Sequence, residues 1–390
     1  MSALKYWIWL AERTGIGCGR ARRLIEYFGT PEAVYRARDR DYIDVDGLKH
    51  SDIKQLMVKD LDITDGILSS CSEIGCRIIT LQDSEYPDRL RNIYDPPLVL
   101  YMKGALPHID ELPVVGVVGT RKCTPYGIKT ADNVGYNLSL RGIIVVTGLA
   151  LGVDTAATRG ALRGGTHTIG VIGSGLDVIY PPGNKTIYED VSNFGALLSE
   201  YPPGTPPVPK HFPARNRIIS GISLGVAVIE APKKSGALIT AARALEQGRD
   251  VFTLPGNVDA ASCEGSNSLL REGAIPFTSA DDIIEEYAEL FPQILGSVKE
   301  TSDKKSIDNR PEVDYIDIMV TGGALSDKLL GELEGDEKRV AQAIGRSALY
   351  IDEIMLSTGL SAQKVLTVLT MLELGGYVHR DINGKWEILF

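Results

Sequence analysis

Six short, almost continuously apolar segments recur between residues 113 and 280, and each is followed by a stretch with helical character. Strands that are apolar on both faces are typical of parallel sheets covered by helices on both sides. The predicted strands are Val114–Val118, Ile143–Thr147, Thr168–Ile172, Ala196–Ser199, Val226–Ile229 and Asp250–Thr253, with a short edge strand at Ile275–Thr278. Regular alternation of strands and helices predicts an α/β fold with a doubly wound parallel sheet.

Helices are expected in the intervals between these strands. They are predicted at Tyr126–Arg141, Gly152–Arg163, Lys185–Ser192, Ala237–Gln247 and Ser266–Glu272. Sheets of this kind bind ligands beyond the carboxyl ends of their strands, and glycine-containing turns follow the long strands here. Glycine lets backbone amides approach an anion, and a helix N-terminus adds partial positive charge. Each turn alone is a weak signal, but their convergence at one edge predicts an anion site.

The segment Pro206–Thr240 concentrates side chains suited to a polyanion. Within eight residues it contains Lys210, His211, Phe212, Arg215, Asn216 and Arg217. We expect these on a proline-stiffened loop, followed by a helix that begins at Ser220-Gly221 and by another that begins at Ser235-Gly236. The turns after other strands add further polar candidates, which are Arg121, Lys122, Asn184 and Lys185. Together these residues predict a positively charged groove at the carboxyl edge of the sheet.

Several of these residues have two interpretations. Phe212 either stacks on a base or anchors the loop by burial. Asn216 and Arg217 either contact the ligand or hold the loop through bonds to carbonyl groups. His211 has no acid and serine partner nearby in the sequence, so we interpret it as a donor to phosphate or backbone and not as a catalytic base. No catalytic residue is therefore predicted.

The net charge of −10 argues against indiscriminate binding of nucleic acid. Its distribution is uneven, because residues 113–280 contain 15 Lys and Arg against 12 Asp and Glu, while residues 281–390 contain 11 against 21. A polyanion site is therefore expected in the central region and not in the acidic C-terminal region.

Cysteine spacing and hydropathy indicate the cellular compartment in which the protein is expected. The five cysteines are scattered and form no CxxC pair, so neither a metal site nor a disulfide framework is expected. No apolar run approaches the length of a membrane span, and no cleavage site follows the apolar segment Tyr6–Ala11. We expect a cytoplasmic protein with free thiols, no cofactor and no membrane contact.

The regions flanking the sheet predict two small modules. Residues 1–75 have a helical pattern in which Gly15-Ile16-Gly17 is typical of a helix-hairpin-helix or SAM-like domain. A packing role without DNA contact is favoured there. Residues 76–286 form the main domain and residues 287–335 a polar linker. Residues 336–390 predict three helices and a hairpin turning at Asn383-Gly384, which is the pattern of a winged helix. For that module a protein-binding or weak DNA-binding role is favoured.

The turn motifs resemble those of the DNA-processing protein A (DprA/Smf) family over roughly residues 75–285. They read GTRKCTPYG, VTGLALGVDTAATRGAL, GVIGSGLDVIYPPGN, HFPARNRIISG, SGALITAARALEQGRDVFTLPGN and GSNSLLREGA. The HFPARNRIISG segment is the most specific of them. Thr120 stands where serine is common in the family, which is a mild departure.

The resemblance implies an extended Rossmann-like domain that binds single-stranded DNA, protects it during natural transformation, and loads the RecA recombinase onto it. It also implies a homodimer through that domain and no enzymatic activity. The predicted DNA-binding residues in or beside these motifs are Arg121, Lys122, Asn184, Lys185, Lys210, His211, Phe212, Arg215, Asn216, Arg217, Ser235 and Gly236.

Two enzyme classes are the main rivals. A phosphoribohydrolase-like nucleotide enzyme needs a glutamate at the helix start after the fifth strand, where this chain has SGALITAARA and no acid before Glu246. A nicotinamide dehydrogenase needs GxGxxG after the first strand and an acid at the end of the second. Here the first turn reads GVVGTRK, and Thr147-Gly148 ends the second strand. Both patterns favour a binding protein over an enzyme.

Overall fold

The structure is a computed structural model that describes residues 3–13, 15–295, 335–344, 350–374, 378–380 and 386–388. The chain divides into two compact units, Met1–Ser302 and Asp303–Phe390. Most of the predicted linker, and the predicted hairpin turn at Asn383-Gly384, lie outside the described residues.

The first unit is built on one nine-stranded sheet. Its strands are β1 (Arg77–Thr80), β2 (Val99–Gly104), β3 (Val114–Val118), β4 (Ile144–Thr147), β5 (Thr168–Ile172), β6 (Gly195–Ser199), β7 (Gly225–Val228), β8 (Asp250–Thr253) and β9 (Ile275–Pro276). Their order in space is β1-β2-β6-β5-β4-β3-β7-β8-β9. In this spatial order the seven strands from β6 through β3 to β9 are parallel, whereas β1 and β2 are antiparallel to their neighbours. This confirms the predicted α/β class and doubly wound sheet.

Fourteen helices are described in this unit. They are α1 (Leu4–Ala11), α2 (Cys18–Phe28), α3 (Pro31–Arg36), α4 (His50–Leu56), α5 (Asp62–Glu73), α6 (Asp88–Arg91), α7 (Pro125–Leu140), α8 (Val153–Gly164), α9 (Lys185–Phe194), α10 (His211–Ile222), α11 (Gly236–Glu246), α12 (Glu264–Arg271), α13 (Ala280–Tyr287) and α14 (Pro292–Leu295). Helices α6, α10 and α11 contribute apolar residues to the core on one face of the sheet, and α7, α8 and α13 to the core on the other.

The helical N-terminal segment shares its core with the sheet. Trp7, Trp9 and Leu10 of α1 belong to one apolar cluster together with Leu98 and Tyr101 at β2. Because this cluster crosses the predicted boundary at residue 75, the helices of residues 3–73 and the sheet form a single compact unit.

Helix α10 corrects the prediction of a proline-stiffened loop. The residues from His211 onward are helical, and Ser220 and Gly221 lie in the last turn of this helix and not at the start of another. Pro213 is tolerated because it is the third helical residue, where a backbone N–H has no partner within the helix. Gly221 packs so closely on Leu90 that a Cβ there would lie 2.7 Å from that side chain.

The second unit contains α15 (Gly335–Ile344), α16 (Ile351–Thr358), α17 (Ala362–Leu374) and an antiparallel pair, β10 (Val378–Arg380) and β11 (Trp386–Ile388). Its core joins residues of all three helices to Trp386. This arrangement confirms the predicted winged-helix module.

Within the described residues, no helix is both long and apolar enough to cross a bilayer. The same part of the chain contains no cluster of three or more side chains suited to holding a metal ion.

Candidate nucleic-acid interface

A groove of about 640 Å³ opens at the carboxyl edge of the sheet. Most of its lining comes from the turn after β3, the first turns of α10 and the turn from β7 into α11, with further residues from the turns before α8 and α12. The lining includes Thr120, Arg121, Lys122, Asp154, Phe212, Arg215, Asn216, Lys234, Ser235 and Gly236. The predicted site residues from three separate turns therefore meet in one place, as expected from the geometry of parallel strands.

Three exposed cations line this groove, namely Arg121, Lys122 and Lys234. Within the described part of the chain, none of them is in a salt bridge, although Arg121 lies close enough to Asp154 to act on it electrostatically. Cations that are not neutralised by nearby carboxylates are available to phosphate groups.

The ring of Phe212 contacts a cation and a second aromatic side chain. The guanidinium carbon of Arg121 is 5.3 Å from its centroid, and the ring centroid of Tyr180 is 5.6 Å away on a tilted plane. Phe212 is only half-buried. The ring therefore packs on neighbours yet keeps surface in the groove, and stacking on a base stays a prediction.

The N-terminus of α11 faces the groove. The hydroxyl of Ser235 accepts a hydrogen bond from Ala237 N–H at 3.2 Å and so caps the helix. Gly236 is exposed, and a Cβ there would have no neighbour within 4 Å. The amide of Asn216 donates to Gly236 O at 3.3 Å, which ties α10 to the start of α11. First-turn amides are not used by the helix itself, so this end can receive an anion.

Arg215 is buried, with 4% of its surface exposed. Its guanidinium donates to Val171 O, and it packs over Gly148, where a Cβ would lie 2.4 Å from a guanidinium nitrogen. Burial lowers its pKa, and the nearby Asp154 carboxylate opposes that shift. As folded, Arg215 supports the turn after β4; its predicted DNA contact stays a prediction.

Asp154 is a buried carboxylate that interacts electrostatically with this arginine. Its carboxylate accepts hydrogen bonds from Gly148 N–H at 3.0 Å and Ala150 N–H at 3.4 Å. Burial raises its pKa to about 6, although Arg215 and the two amides favour the ionised form. The carboxylate thus occupies the anion-binding turn that leads into α8.

Arg217 is engaged in a buried network on the opposite side of α10. It forms two hydrogen bonds to the Glu200 carboxylate, at 2.8 and 2.6 Å, and donates to Asp95 O at 2.8 Å. With 9% of its surface exposed, it holds α10 against the chain before β2 and after β6. The interpretation of Arg217 as a residue that pins this segment matches these contacts.

The remaining predicted residues divide into two groups. Asn184 is buried and donates to Leu149 O at 3.0 Å and to Thr155 Oγ1 at 2.9 Å, so it fixes the turn before α8. His211 Nδ1–H donates to Gly173 O at 3.2 Å and the ring stacks on Tyr201, which fits its interpretation as a backbone donor. Lys185 and Lys210 are exposed at the starts of α9 and α10.

A buried carboxylate also occupies the start of α7. Glu230 follows β7, and its oxygens accept from Thr124 N–H at 2.9 Å and from the Thr124 hydroxyl at 2.5 Å. Gly127 permits this approach, since a Cβ there would lie 2.7 Å from the Glu230 carboxyl carbon. The helix N-terminus after β3 is therefore neutralised from within the protein.

Four residues of the site were not assigned from the sequence: Lys234, Tyr180, Glu230 and Asp154. The sequence does contain signals for two of them, because Lys233-Lys234 precedes Ser235-Gly236 directly and Tyr180 begins a Tyr-Pro-Pro turn. Glu230 had no such signal, since its partner Thr124 is far away in the chain, and Asp154 was missed although the amides that it accepts from, those of Gly148 and Ala150, lie just before it.

Comparison with known proteins decides the family. Residues 77–288 match the model for DNA recombination-mediator protein A, and residues 326–382 match the DprA winged helix domain. Protein Smf of Synechocystis sp. is 34% identical over 98% of both chains. The chain belongs to the DNA-processing protein A family. The resemblance stated from the turn motifs is thereby confirmed.

Solved structures of this family have the same fold. DNA processing protein A from Streptococcus pneumoniae is 37% identical, with a TM-score of 0.64 over 72% of this chain and 97% of that one. DNA processing protein A from Helicobacter pylori is 31% identical, with a TM-score of 0.50 over 55% of this chain and 96% of that one.

Proposed function

We propose that the groove at the carboxyl edge of the sheet binds single-stranded DNA and does not transform it. The observation that carries this proposal is the juxtaposition of the exposed cations Arg121, Lys122 and Lys234 with the ring of Phe212. Cations that track phosphates, combined with aromatic rings that stack on bases, give tight binding with little sequence preference. The solved structure from Helicobacter pylori, which concerns the single-stranded DNA binding mode of that protein, supports the same ligand.

The aromatic pair favours a single strand over a duplex. Stacking on Phe212 requires the free face of an unpaired base, and a duplex keeps its base faces inside the helix. In this arrangement a phosphate lies at the N-terminus of α11, between Arg121 and Lys234, and the adjoining base rests on Phe212. The ligand is held by groups that are already in position.

The rival nucleotide-binding function has a specific obstacle. Dinucleotides place their pyrophosphate at the helix N-terminus that follows the first strand of such a sheet. That helix is α7, and the Glu230 carboxylate already accepts hydrogen bonds from its capping residue, Thr124. A phosphate there would meet a buried negative charge. This supports binding without nucleotide chemistry, as does the helix start Ser235-Gly236-Ala237, where a hydrolase would need a glutamate.

We further propose that the bound strand is handed to the RecA recombinase during natural transformation, and that the protein acts as a homodimer through its sheet domain. Membership of a family described as DNA recombination-mediator proteins supports the hand-over. Such partners would place the activity in the cytoplasm. Sedimentation at micromolar concentration tests the dimer, and a monomer there contradicts it.

The central experiment measures binding of oligo-dT over a series of salt concentrations. Arg121→Ala removes a cation that both faces the groove and lies over Phe212, so we expect about tenfold weaker binding, or about 1.4 kcal/mol. The slope of log affinity against log salt becomes shallower by about 0.7 for each phosphate of a single strand that is no longer neutralised. Duplex DNA of equal length is expected to compete poorly.

Arg163→Ala is the matched control. Arg163 pairs with Asp132 at 2.6 Å in the last turn of α8, and α8 runs away from the carboxyl edge. This variant changes the net charge equally but should leave both affinity and salt slope unchanged. Equal losses in the two variants, or no loss in Arg121→Ala, would overturn the assignment of the groove.

A further inference from the structure

Helix α5 ends in a Schellman motif that contains two cysteines. Gly75 adopts a left-handed conformation, with φ of +67°. Cys76 N–H donates to Cys71 O at 2.8 Å, and Gly75 N–H donates to Ser72 O at 3.4 Å. These two bonds, one spanning five residues and one spanning three, define the motif.

In a Schellman motif, the residue after the left-handed glycine packs against the residue five positions earlier. An apolar pair usually makes that contact, but here both positions are cysteines, Cys71 and Cys76, and each thiol shifts the pKa of the other. The motif itself therefore brings the two sulfur atoms together, without help from distant packing. This short separation in sequence and space is suited to a disulfide.

The two thiols are not equivalent. The hydrogen bond from Cys71 lowers the pKa of Cys76, with a smaller contribution from Lys103, although burial opposes the shift. The same hydrogen bond, together with burial, raises the pKa of Cys71. Cys76 is also the more accessible of the two, because Cys71 is buried in the core. A half-buried thiol with a lowered pKa beside a buried thiol with a raised pKa is the usual arrangement of an attacking and a resolving cysteine.

We propose that Cys71 and Cys76 form an oxidisable dithiol that reacts with small-molecule disulfides. The Cys76 thiolate attacks one sulfur of the oxidant, whose S–S bond breaks and releases one small thiol. Cys71 then loses its proton and attacks the Cys76 sulfur, which releases the second small thiol and leaves a Cys71–Cys76 disulfide. Two protein thiols are oxidised and one external disulfide is reduced to two thiols.

The location gives this modification a structural effect. Cys76 immediately precedes β1, which pairs with β2 from Arg77 opposite Met102. Cys71 belongs to the core shared by the N-terminal helices and the sheet. The disulfide would link the last turn of α5 to the residue directly before the edge strand β1. It would restrain this junction in the folded protein and also in the unfolded chain.

The other cysteines provide internal controls. Cys18 is buried and its thiol donates to Pro96 O. Cys123 precedes α7 and Cys263 precedes α12, so each lies in a turn far in sequence from Cys71 and Cys76. Intramolecular oxidation should therefore be confined to one peptide.

The test exposes the full chain to oxidised glutathione, quenches it with acid, alkylates it under denaturing conditions and measures the peptides by mass spectrometry. We expect the segment 71–76 to lose two hydrogens and to escape alkylation, while Cys18 and Cys123 are alkylated. Cys71→Ser should stop the reaction at a stable glutathione adduct on Cys76. Cys123→Ser should behave as the wild type.

Two outcomes would overturn the proposal. One is full alkylation of both Cys71 and Cys76 after exposure to the oxidant. The other is a stable glutathione adduct on Cys76 in the wild type, which would mean that Cys71 does not resolve it. Because the wild-type chain supplies both results, the test does not depend on a variant that folds.

Discussion

The starts of α7 and α8 differ from the start of α11, although all three helices begin at the same edge of the sheet. Glu230 neutralises the start of α7, and Asp154 fills the turn before α8. At α11 the cap is the uncharged Ser235, and Gly236 is open to the groove. The protein thus satisfies two of these anion sites with its own carboxylates and leaves the third for a ligand.

This difference shows that the backbone alone does not define a binding site. Each helix start offers amides and partial positive charge. Where an internal carboxylate binds at the helix start, the interaction stabilises the fold. Where cations such as Arg121 and Lys234 surround the helix start, they favour binding of an external anion. We call the starts of α7 and α8 the closed ends and the start of α11 the open end. Substitutions at the closed ends should therefore alter stability, and substitutions at the open end should alter DNA binding.

The largest effect is expected at the closed ends, from Arg215→Ala. It removes the cation that faces buried Asp154 and the donor to Val171 O, so the free energy of unfolding should fall by about 3–5 kcal/mol. Urea unfolding measures this. The matched variant Arg121→Ala alters an exposed side chain and should change stability by less than about 0.5 kcal/mol. If the two variants are destabilised equally, the contrast between closed and open ends fails.

Asp154→Asn tests the same end through pH. The pKa of Asp154 is raised from 3.8 to about 6 by burial, so between these values the folded protein holds a proton that the unfolded chain has released. The free energy of unfolding therefore falls as pH rises through this window, by roughly 3 kcal/mol in total. The free energy of unfolding of Asp154→Asn lacks this pH-dependent contribution, because asparagine does not titrate. Urea unfolding from pH 3.5 to 6.5 should show wild-type and variant curves that converge or cross, and parallel curves would contradict it.

Glu230→Gln should have an intermediate effect. Glutamine keeps one acceptor for Thr124 but removes the charge at the start of α7, so we expect the free energy of unfolding to fall by about 1–2 kcal/mol. Oligo-dT affinity should not fall, since the site at α11 is intact. Weaker binding with unchanged stability would mean that the start of α7 belongs to the DNA site after all.

The smallest effect is expected at the open end, from Lys234→Ala. Lys234 is exposed and lines the groove, so its removal should weaken oligo-dT binding by about threefold and reduce the salt slope by about 0.7. Stability should not change. Lys54→Ala, which alters an exposed lysine of α4, provides the comparison, and equally weakened binding there would show that only net charge matters.

The sequence predicted the sheet well because its central strands are buried on both faces and therefore read as apolar runs. It predicted that Arg121, Phe212 and Ser235 would lie near one another, because parallel strands bring their turns to one edge. It did not predict helix α10, since prolines and arginines suggested a loop. This segment is helical because its proline lies in the first turn, where no intrahelical N–H bond is lost, and because Arg215 and Arg217 have buried partners.

The roles of individual polar residues were harder to predict for a related reason. Asn184 and Arg215 have the composition of a binding site, but each is satisfied by groups distant in sequence, Leu149 and Val171. Whether a polar side chain faces inward depends on such long-range partners, which no local pattern contains. Glu230 was missed for the same reason, since it accepts from the distant Thr124.

Helix α10 is fixed before any ligand arrives. Arg217 ties one side to Glu200 and Asp95, and Asn216 ties the other to the start of α11. Phe212, one turn earlier, therefore gives up little conformational freedom when a base stacks on it. Pre-organisation of this kind acts mainly on the residence time of the ligand. Loss of the Arg217 contacts would therefore speed dissociation of the DNA complex more than it slows association.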